Sequence, residues 1–290
     1  MRKIAVIGGN GQLGHDVVEA FDGIAEVYSL THQELELSDI DSAATCLRAL
    51  HPDIVVNAAA MHHVENCERD PARAYAVNAL GVRNLAHITD DLDAILIHVS
   101  TDYVFDGRKG TPYTEDDLPL PLNVYGSSKL AGEYFTRTGN QKHIVLRTSA
   151  LYGRHPCRGK GGENFVDVML RLGRERGEVR VVDSERITPT STRDLAQQIV
   201  VLSDAGAYGL FHATAEGICS WHEFACEIFA AAGIRVRCLV AQPEEFPAKV
   251  ARPEYSVLDN AGLKQAGLNR FRHWREGLQA YLAQDCSAVA

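Results

Sequence analysis

The sequence predicts an α/β chain: a doubly wound parallel sheet with a smaller, mixed C-terminal lobe. Three observations predict it. Short β-branched runs alternate with helix-like periods through the first 150 residues, a glycine-rich turn follows the first run, and no repeat or low-complexity linker interrupts the 290 residues. Strands are expected at Lys3 to Ile7, Glu26 to Leu30, Ile54 to Asn57, Ile95 to Val99 and His143 to Arg147. Between them Leu13, Val17 and Phe21 recur at helical spacing, as do Ala74, Val77 and Leu85. After Tyr152 the run Gly153-Arg154-His155-Pro156-Cys157-Arg158-Gly159-Lys160-Gly161-Gly162 is too rich in Gly, Pro and basic residues for a regular element and reads as a mobile loop. Beyond it, Phe165, Val168, Met169 and Leu172 suit an amphipathic helix, and Leu195, Ile199 and Leu202 a second. Further helices are expected over Trp221 to Phe229 and Phe271 to Tyr281, between Pro-containing segments around Pro243, Pro247 and Pro253; Trp221, Phe224, Phe229, Trp274 and Leu278 read as core. Residues 1–152 with about 183–205 are assigned to the sheet domain, and about 153–182 with 206–290 to the smaller lobe.

Composition excludes several classes of function. With 38 acidic against 29 basic residues the net charge is −9, which opposes nonspecific attraction to nucleic acid or to an anionic membrane. No apolar run reaches the roughly 18 to 20 residues of a membrane span. Met1 leads straight into a core strand with no room for a signal peptide, so a cytoplasmic location is expected. The seven cysteines, Cys46, Cys67, Cys157, Cys219, Cys226, Cys238 and Cys286, include no Cys-x-x-Cys pair. They read as reduced thiols, with neither a disulfide framework nor a metal expected.

Chemistry enters with Gly8-Gly9-Asn10-Gly11-Gln12-Leu13-Gly14, directly after the first strand. Glycines 8, 11 and 14 have the spacing G-x-x-G-x-x-G rather than the standard G-x-G-x-x-G. Such a turn lets backbone approach a pyrophosphate while the helix that opens from it offers N–H donors; the alternative is a tight turn without a ligand. The second strand ends Ser29-Leu30-Thr31-His32, lacking the carboxylate that often holds an adenosine ribose. A 2′-phosphate is then permitted, which favours NADPH and leaves NADH possible, with His32 either on that phosphate or simply exposed. Asp39 suits an adenine amino group, a helix cap before Ser42 to Leu50, or both.

Tyr125-Gly126-Ser127-Ser128-Lys129 is the sharper signal, with Ser100-Thr101 upstream at the end of a strand. Tyr and Lys at i and i+4 share one helix face. A free phenol with a pKa of about 10 is a poor acid–base group at neutral pH, and an adjacent ammonium and hydroxyl favour its ionised form.

These motifs, in this order, resemble the extended branch of the short-chain dehydrogenase/reductase superfamily. More closely, Ser100-Thr101-Asp102-Tyr103-Val104-Phe105-Asp106-Gly107, Pro121-Leu122-Asn123-Val124-Tyr125-Gly126, Lys129-Leu130-Ala131-Gly132-Glu133 and Leu146-Arg147-Thr148-Ser149 resemble the dTDP-4-dehydrorhamnose reductase family. Asn57-Ala58-Ala59-Ala60, Asn164-Phe165, Pro189-Thr190 and Arg252-Pro253 extend the likeness over nearly the whole chain. The resemblance implies a Rossmann-type sheet and reduction of the C4 ketone of a dTDP-linked 6-deoxy-hexulose. It places Gly8, Gly11, Gln12 and Leu13 along the cofactor diphosphate, Asp39 and Ile40 at the adenine, and Ala58, Ala59 and Ala60 at the middle of the dinucleotide. Thr101, Tyr125 and Lys129 would form the catalytic group, Tyr125 giving the proton and Lys129 also binding the nicotinamide ribose. His62, Val64, Thr101, Tyr103, Asn164 and Arg252 would meet the nucleotide sugar, with a helix cap as the alternative for Asn164 and a surface ion pair for Arg252.

Three departures from the family pattern mark this chain. Ala150 stands where the best-known members carry a Trp that packs on the sugar. Met61-His62-His63-Val64 replaces His-Thr-Ala-Val, and no ligand set completes a metal site from His62, His63 and Cys67. Where some members hold magnesium through glutamates at a dimer interface, the matching positions are Asp16 and Arg193, so neither that ion nor that dimer follows and a monomer or homodimer is expected. Two other readings remain: a different reductase, epimerase or dehydratase on this scaffold, and a noncatalytic NADP-binding regulatory subunit, since the regulatory subunit of methionine adenosyltransferase resembles the same family.

Overall fold

The computed structural model describes residues 1–242, 245 and 249–285; Pro243, Pro247 and Cys286 lie outside the described residues. Strands β1 (Lys3–Ile7), β2 (Glu26–Leu30), β3 (Ile54–Asn57), β4 (Ile95–Thr101) and β5 (His143–Thr148) pair in parallel in the order β5-β4-β3-β1-β2. The centres of β1, β3, β4 and β5 are apolar because both faces are covered, Ile4, Val6, Val55, Val56, Leu96, Ile97 and Val145 being fully buried, whereas β2 at the sheet edge is half-exposed. Strand order reverses between β1 and β3, so a crevice opens at their carboxyl ends, the place where doubly wound sheets bind ligands.

A sixth strand, Gly209–His212, joins β5 at the sheet edge, where the sequence reading expects none. Four residues opening on a glycine carry too little pattern to be seen, and Phe211 of this strand packs into the main sheet's core with Leu263 and Phe271 from further along the chain. Strand β4 also runs two residues past Val99, which puts Ser100 and Thr101 in register with Arg147 and Thr148 of β5.

Helices α1 (Gln12–Phe21), α2 (Ile40–Leu50), α3 (Val64–Arg69), α4 (Pro71–Tyr75), α5 (Val82–Asp91) and α6 (Val124–Gly139) flank the sheet. The single helix expected around Ala74 to Leu85 is α4 and α5 joined by a π-helical turn, Ala76–Gly81. That turn aims Asn78 at the segment after β3: its side chain bonds both the N–H and the carbonyl of Met61 at 2.9 Å, and Ser128 Oγ at 3.1 Å.

The smaller lobe has its own core, in which Tyr152, Val166, Phe224, Ile228, Trp274 and Leu278 are buried. It contains α7 (Phe165–Glu175), α9 (Trp221–Ala231) and a parallel strand pair, Glu178–Val181 with Arg237–Val240. Helix α8 (Thr192–Ala205) returns to pack on α1. The last helix begins at Trp274, not Phe271, because Phe271 belongs to the sheet's core and Trp274 to the lobe's. The segment 153–162 is folded rather than irregular: Cys157 and Gly162 exchange two backbone hydrogen bonds of 3.0 Å around one 3-10 turn. No described helix is long and apolar enough to cross a membrane.

Candidate active site

The glycine turn is built for close approach. Gly8 has a φ of +77°, and its N–H and that of Gly9 both donate to Leu30 O, at 2.8 and 3.1 Å. A Cβ at Gly14 would stand 2.1 Å from Gly8 O, and one at Gly8 would stand 3.0 Å from Ala59 N. Ala58 to Ala60 leave β3 beside this turn, with Ala58 N donating to Ile7 O at 3.0 Å. Helix α1 opens at Gly11 with no side-chain cap, leaving its first N–H groups for an anion. Gln12 ties the turn to the 153–162 segment through Gly153 O and His155 O, both at 3.2 Å, and Arg158 Nε reaches Asn10 O at 2.9 Å. A dinucleotide diphosphate fits this cradle.

Beyond β2 His32 is exposed, while Asp39 Oδ1 caps α2 by accepting from Asp41 N and Ser42 N at 3.1 Å, with the exposed Ile40 beside it. The sequence shows no carboxylate ending β2, but the fold returns one. Glu34 Oε2 accepts from Thr31 N at 2.9 Å and from its hydroxyl.

Tyr125 and Lys129 stand one turn apart on α6, beside the end of β4 that carries Thr101. The Asn123 side chain starts α6 by accepting from Gly126 N at 2.9 Å, and a Cβ at Gly126 would stand 2.1 Å from Tyr103 O, so α6 lies directly against the turn after β4. Thr101 Oγ1 donates to the buried Asp102 carboxylate at 3.0 Å. Tyr125 stands beside Thr101 and meets the Tyr103 ring edge-on, the centroids 5.8 Å apart. Burial pushes the Tyr125 phenol above its usual value, against the lowering by Thr101. Lys129 is 1% exposed and donates to Val99 O at 2.6 Å. Burial lowers it to about 8, with Glu133 acting the other way.

Next to this cluster lies a cavity of about 540 Å³ lined by His63, Val64, Tyr103, Gly159, Gly161 and Arg252, among others. Three of the expected substrate residues, Val64, Tyr103 and Arg252, are therefore together. The Arg252 guanidinium donates to Glu65 Oε1 at 2.6 Å at the cavity wall, the ion-pair alternative for this residue. His62 is not in the lining; it packs on Gly159, and His63 takes the cavity position instead. Asn164 is also elsewhere. Its Oδ1 caps α7 through Val166 N and Asp167 N, and its Nδ2 donates to Gly153 O at 2.8 Å, so a substrate contact would have to displace one of these. Cys67 turns its thiol to Met61 O at 3.2 Å, away from any shared site with the two imidazoles. Asp16 accepts from the Thr192 hydroxyl in a second cavity, which Arg193 also lines. Ala150 has a φ of +44° and lies against the lobe's core. Beyond the expected residues, sequence reasoning missed Glu34, Glu65 and Asn66, which carry no motif of their own.

A switch-point crevice that runs from an uncapped glycine turn to a tyrosine beside a strand-end threonine, with a buried lysine one turn along the same helix, defines an extended short-chain dehydrogenase/reductase. The chain belongs to the family described as the RmlD substrate binding domain, which matches residues 1–286. It is 38% identical over 289 residues to the spore coat polysaccharide biosynthesis protein SpsK of Bacillus subtilis, covering 99% of each chain. A dTDP-4-dehydrorhamnose reductase of Mycobacterium tuberculosis is 37% identical, with 99% of this chain and 95% of that one covered. Among solved structures, the Bacillus anthracis dTDP-4-dehydrorhamnose reductase in complex with NADP superimposes with a TM-score of 0.93 at 36% identity, covering 98% of this chain and all of that one. A Thermus thermophilus UDP-glucose 4-epimerase, at 21% identity and a TM-score of 0.83, shares the fold.

Proposed function

We propose that the chain is an NADPH-dependent reductase of the C4 ketone of dTDP-4-dehydrorhamnose, yielding dTDP-L-rhamnose. The observation that carries this reading is the place of Tyr125, whose ring meets Tyr103 edge-on at 5.8 Å at the wall of the Tyr103 and Arg252 cavity, with Lys129 buried one turn further along α6. NADPH, when bound, supplies the hydride. Tyr125, held protonated by its surroundings, gives its proton to the oxygen as negative charge develops there. Thr101 orients that phenol, and Lys129 stabilises the phenolate left behind. The α1 N-terminus and the glycine turn take the diphosphate, and Arg252 offers a guanidinium fork to the substrate's phosphates in place of Glu65. The segment 153–162 covers both ends of this arrangement.

The test is oxidation of NADPH by wild type and Tyr125→Phe, given dTDP-4-dehydro-6-deoxyglucose with and without the 3,5-epimerase. One NADPH consumed per sugar by wild type in the presence of epimerase, largely lost in the variant, is expected. Turnover of the sugar with no net NADPH consumption would assign an epimerase or dehydratase instead. Dinucleotide binding without any turnover would assign a regulatory subunit.

A further inference from the structure

Away from the cleft, α9 and the strand Arg237–Val240 bring together three side chains for which the reduction has no use. His222 and Cys226 stand one turn apart on one face of α9, and Cys238 meets them from the strand. Their ligating atoms all lie within 4.8 Å of one another. Cys226 Sγ is 3.6 Å from His222 Nε2. Zinc bonds of about 2.3 Å to sulfur and about 2.0 Å to nitrogen, at a tetrahedral angle, separate the two ligand atoms by about 3.6 Å. One edge of a coordination tetrahedron therefore already exists. The other imidazole nitrogen, Nδ1, lies 4.0 Å from Asp183 Oδ1, so a hydrogen bond that orients a metal-bound ring forms only if the pair closes by about 1 Å. The backbone holds His222 in place, its N–H donating to Val182 O at 3.1 Å. All three ligands are half-buried, shielded yet open to an ion.

We propose that His222, Cys226 and Cys238 form a Cys2His site for a thiophilic divalent cation, zinc foremost, with water in the fourth position. Sulfur and imidazole exclude magnesium and calcium, which take oxygen ligands. A cation takes both sulfurs as thiolates and so displaces their protons on binding. Binding also requires the Nε2–H that faces Cys238 O at 3.3 Å to leave, so that the Nε2 lone pair meets the metal and the ring proton sits on Nδ1, on the side of Asp183. The cation clips α9 to the strand pair and so adds a cross-link to the smaller lobe.

The test is anaerobic titration of the reduced full chain with Co²⁺, followed by displacement with Zn²⁺. One tetrahedral cobalt per chain with thiolate-to-cobalt charge transfer is expected. Cys226→Ser and Cys238→Ser should each abolish the charge transfer of the paired thiolates and weaken binding about 100-fold, and Asp183→Asn about 10-fold. In wild type, Zn²⁺ should protect Cys226 and Cys238 from iodoacetamide while Cys46 labels as before, a readout that needs no variant to fold. An octahedral spectrum, unchanged alkylation of the two thiols under saturating Zn²⁺, or a Cys226–Cys238 disulfide in air with no cobalt uptake after reduction would each overturn the assignment.

Discussion

Lys129 Nζ stands 3.2 Å from His98 Nε2, and both groups are sealed from water. The tautomer between them is fixed from a distance. Ala59 N–H donates to Asn57 Oδ1 at 3.2 Å, so the Asn57 amide must turn its NH₂ to His98 Nδ1, 3.1 Å away. Nδ1 then accepts, and the ring proton sits on Nε2, facing the amine. Two donors meet unless Lys129 gives up a proton, and burial of the lysine pulls in the same direction, to about 8.

The pH dependence follows. Tyr125 is raised and stays protonated, so the limb of kcat/KM for NADPH that falls with rising pH should lie near 8 and report Lys129. His98→Leu removes the donor that favours the neutral amine and should move this limb upward by up to about one pH unit, the worth of one hydrogen bond. A pH–rate profile unchanged by that substitution would remove His98 from the account.

The same lysine weighs on stability. Its folded pKa of about 8 lies below the ordinary 10.5, so between these values the unfolded chain binds more protons and stability rises with pH; below about 8 the cost is present in full. That drop corresponds to about 3 kcal/mol. Lys129→Met should therefore abolish reduction while stabilising the unliganded protein at pH 7 by up to about 3 kcal/mol, as urea unfolding would measure.

Glu133 and Arg147 form the opposite case. The carboxylate takes three guanidinium hydrogen bonds of 2.7 to 3.1 Å, and both side chains are at most 3% exposed. Glu133→Gln leaves a buried guanidinium without its counter-charge and should cost about 3 to 5 kcal/mol in urea unfolding. A loss under about 1 kcal/mol would mean that water reaches Arg147.

Cofactor choice should respond to Glu34. Its carboxylate bonds Thr31 at the end of β2, where an NADPH 2′-phosphate would be repelled and a ribose hydroxyl accepted. Glu34→Gln is expected to lower KM for NADPH roughly 3- to 10-fold, a surface-charge effect that fades in high salt, and to leave KM for NADH unchanged or raised. Equal effects on both cofactors would place Glu34 outside the phosphate's reach.

Legibility in the sequence tracked how local the cause was. Strands β1, β3, β4 and β5 announce themselves by their apolar centres, and the glycine turn and the Tyr125 to Lys129 spacing are consequences of a few consecutive residues. Gly209–His212 is a strand only because β5 has a free edge beside it. Glu34 becomes a β2 residue in effect through a bond back to Thr31. His62 and His63 are adjacent in sequence, and only the packing of Gly159 on His62 decides which of them faces the cavity. Asn164 fits two roles equally in sequence, and the start of α7 claims it. The spacing of the cysteines gave no hint of His222, Cys226 and Cys238, since the third comes from a strand eleven residues beyond the helix pair's last member and is brought back by pairing with Glu178–Val181.

One stretch of chain touches both halves of the crevice: Arg158 holds Asn10 O at the glycine turn, while Gly159 and Gly161 wall the neighbouring cavity. A change at this stretch is therefore felt on both sides: on the proposed function, Arg158→Ala should raise KM for NADPH and for the nucleotide sugar together, as steady-state kinetics would show.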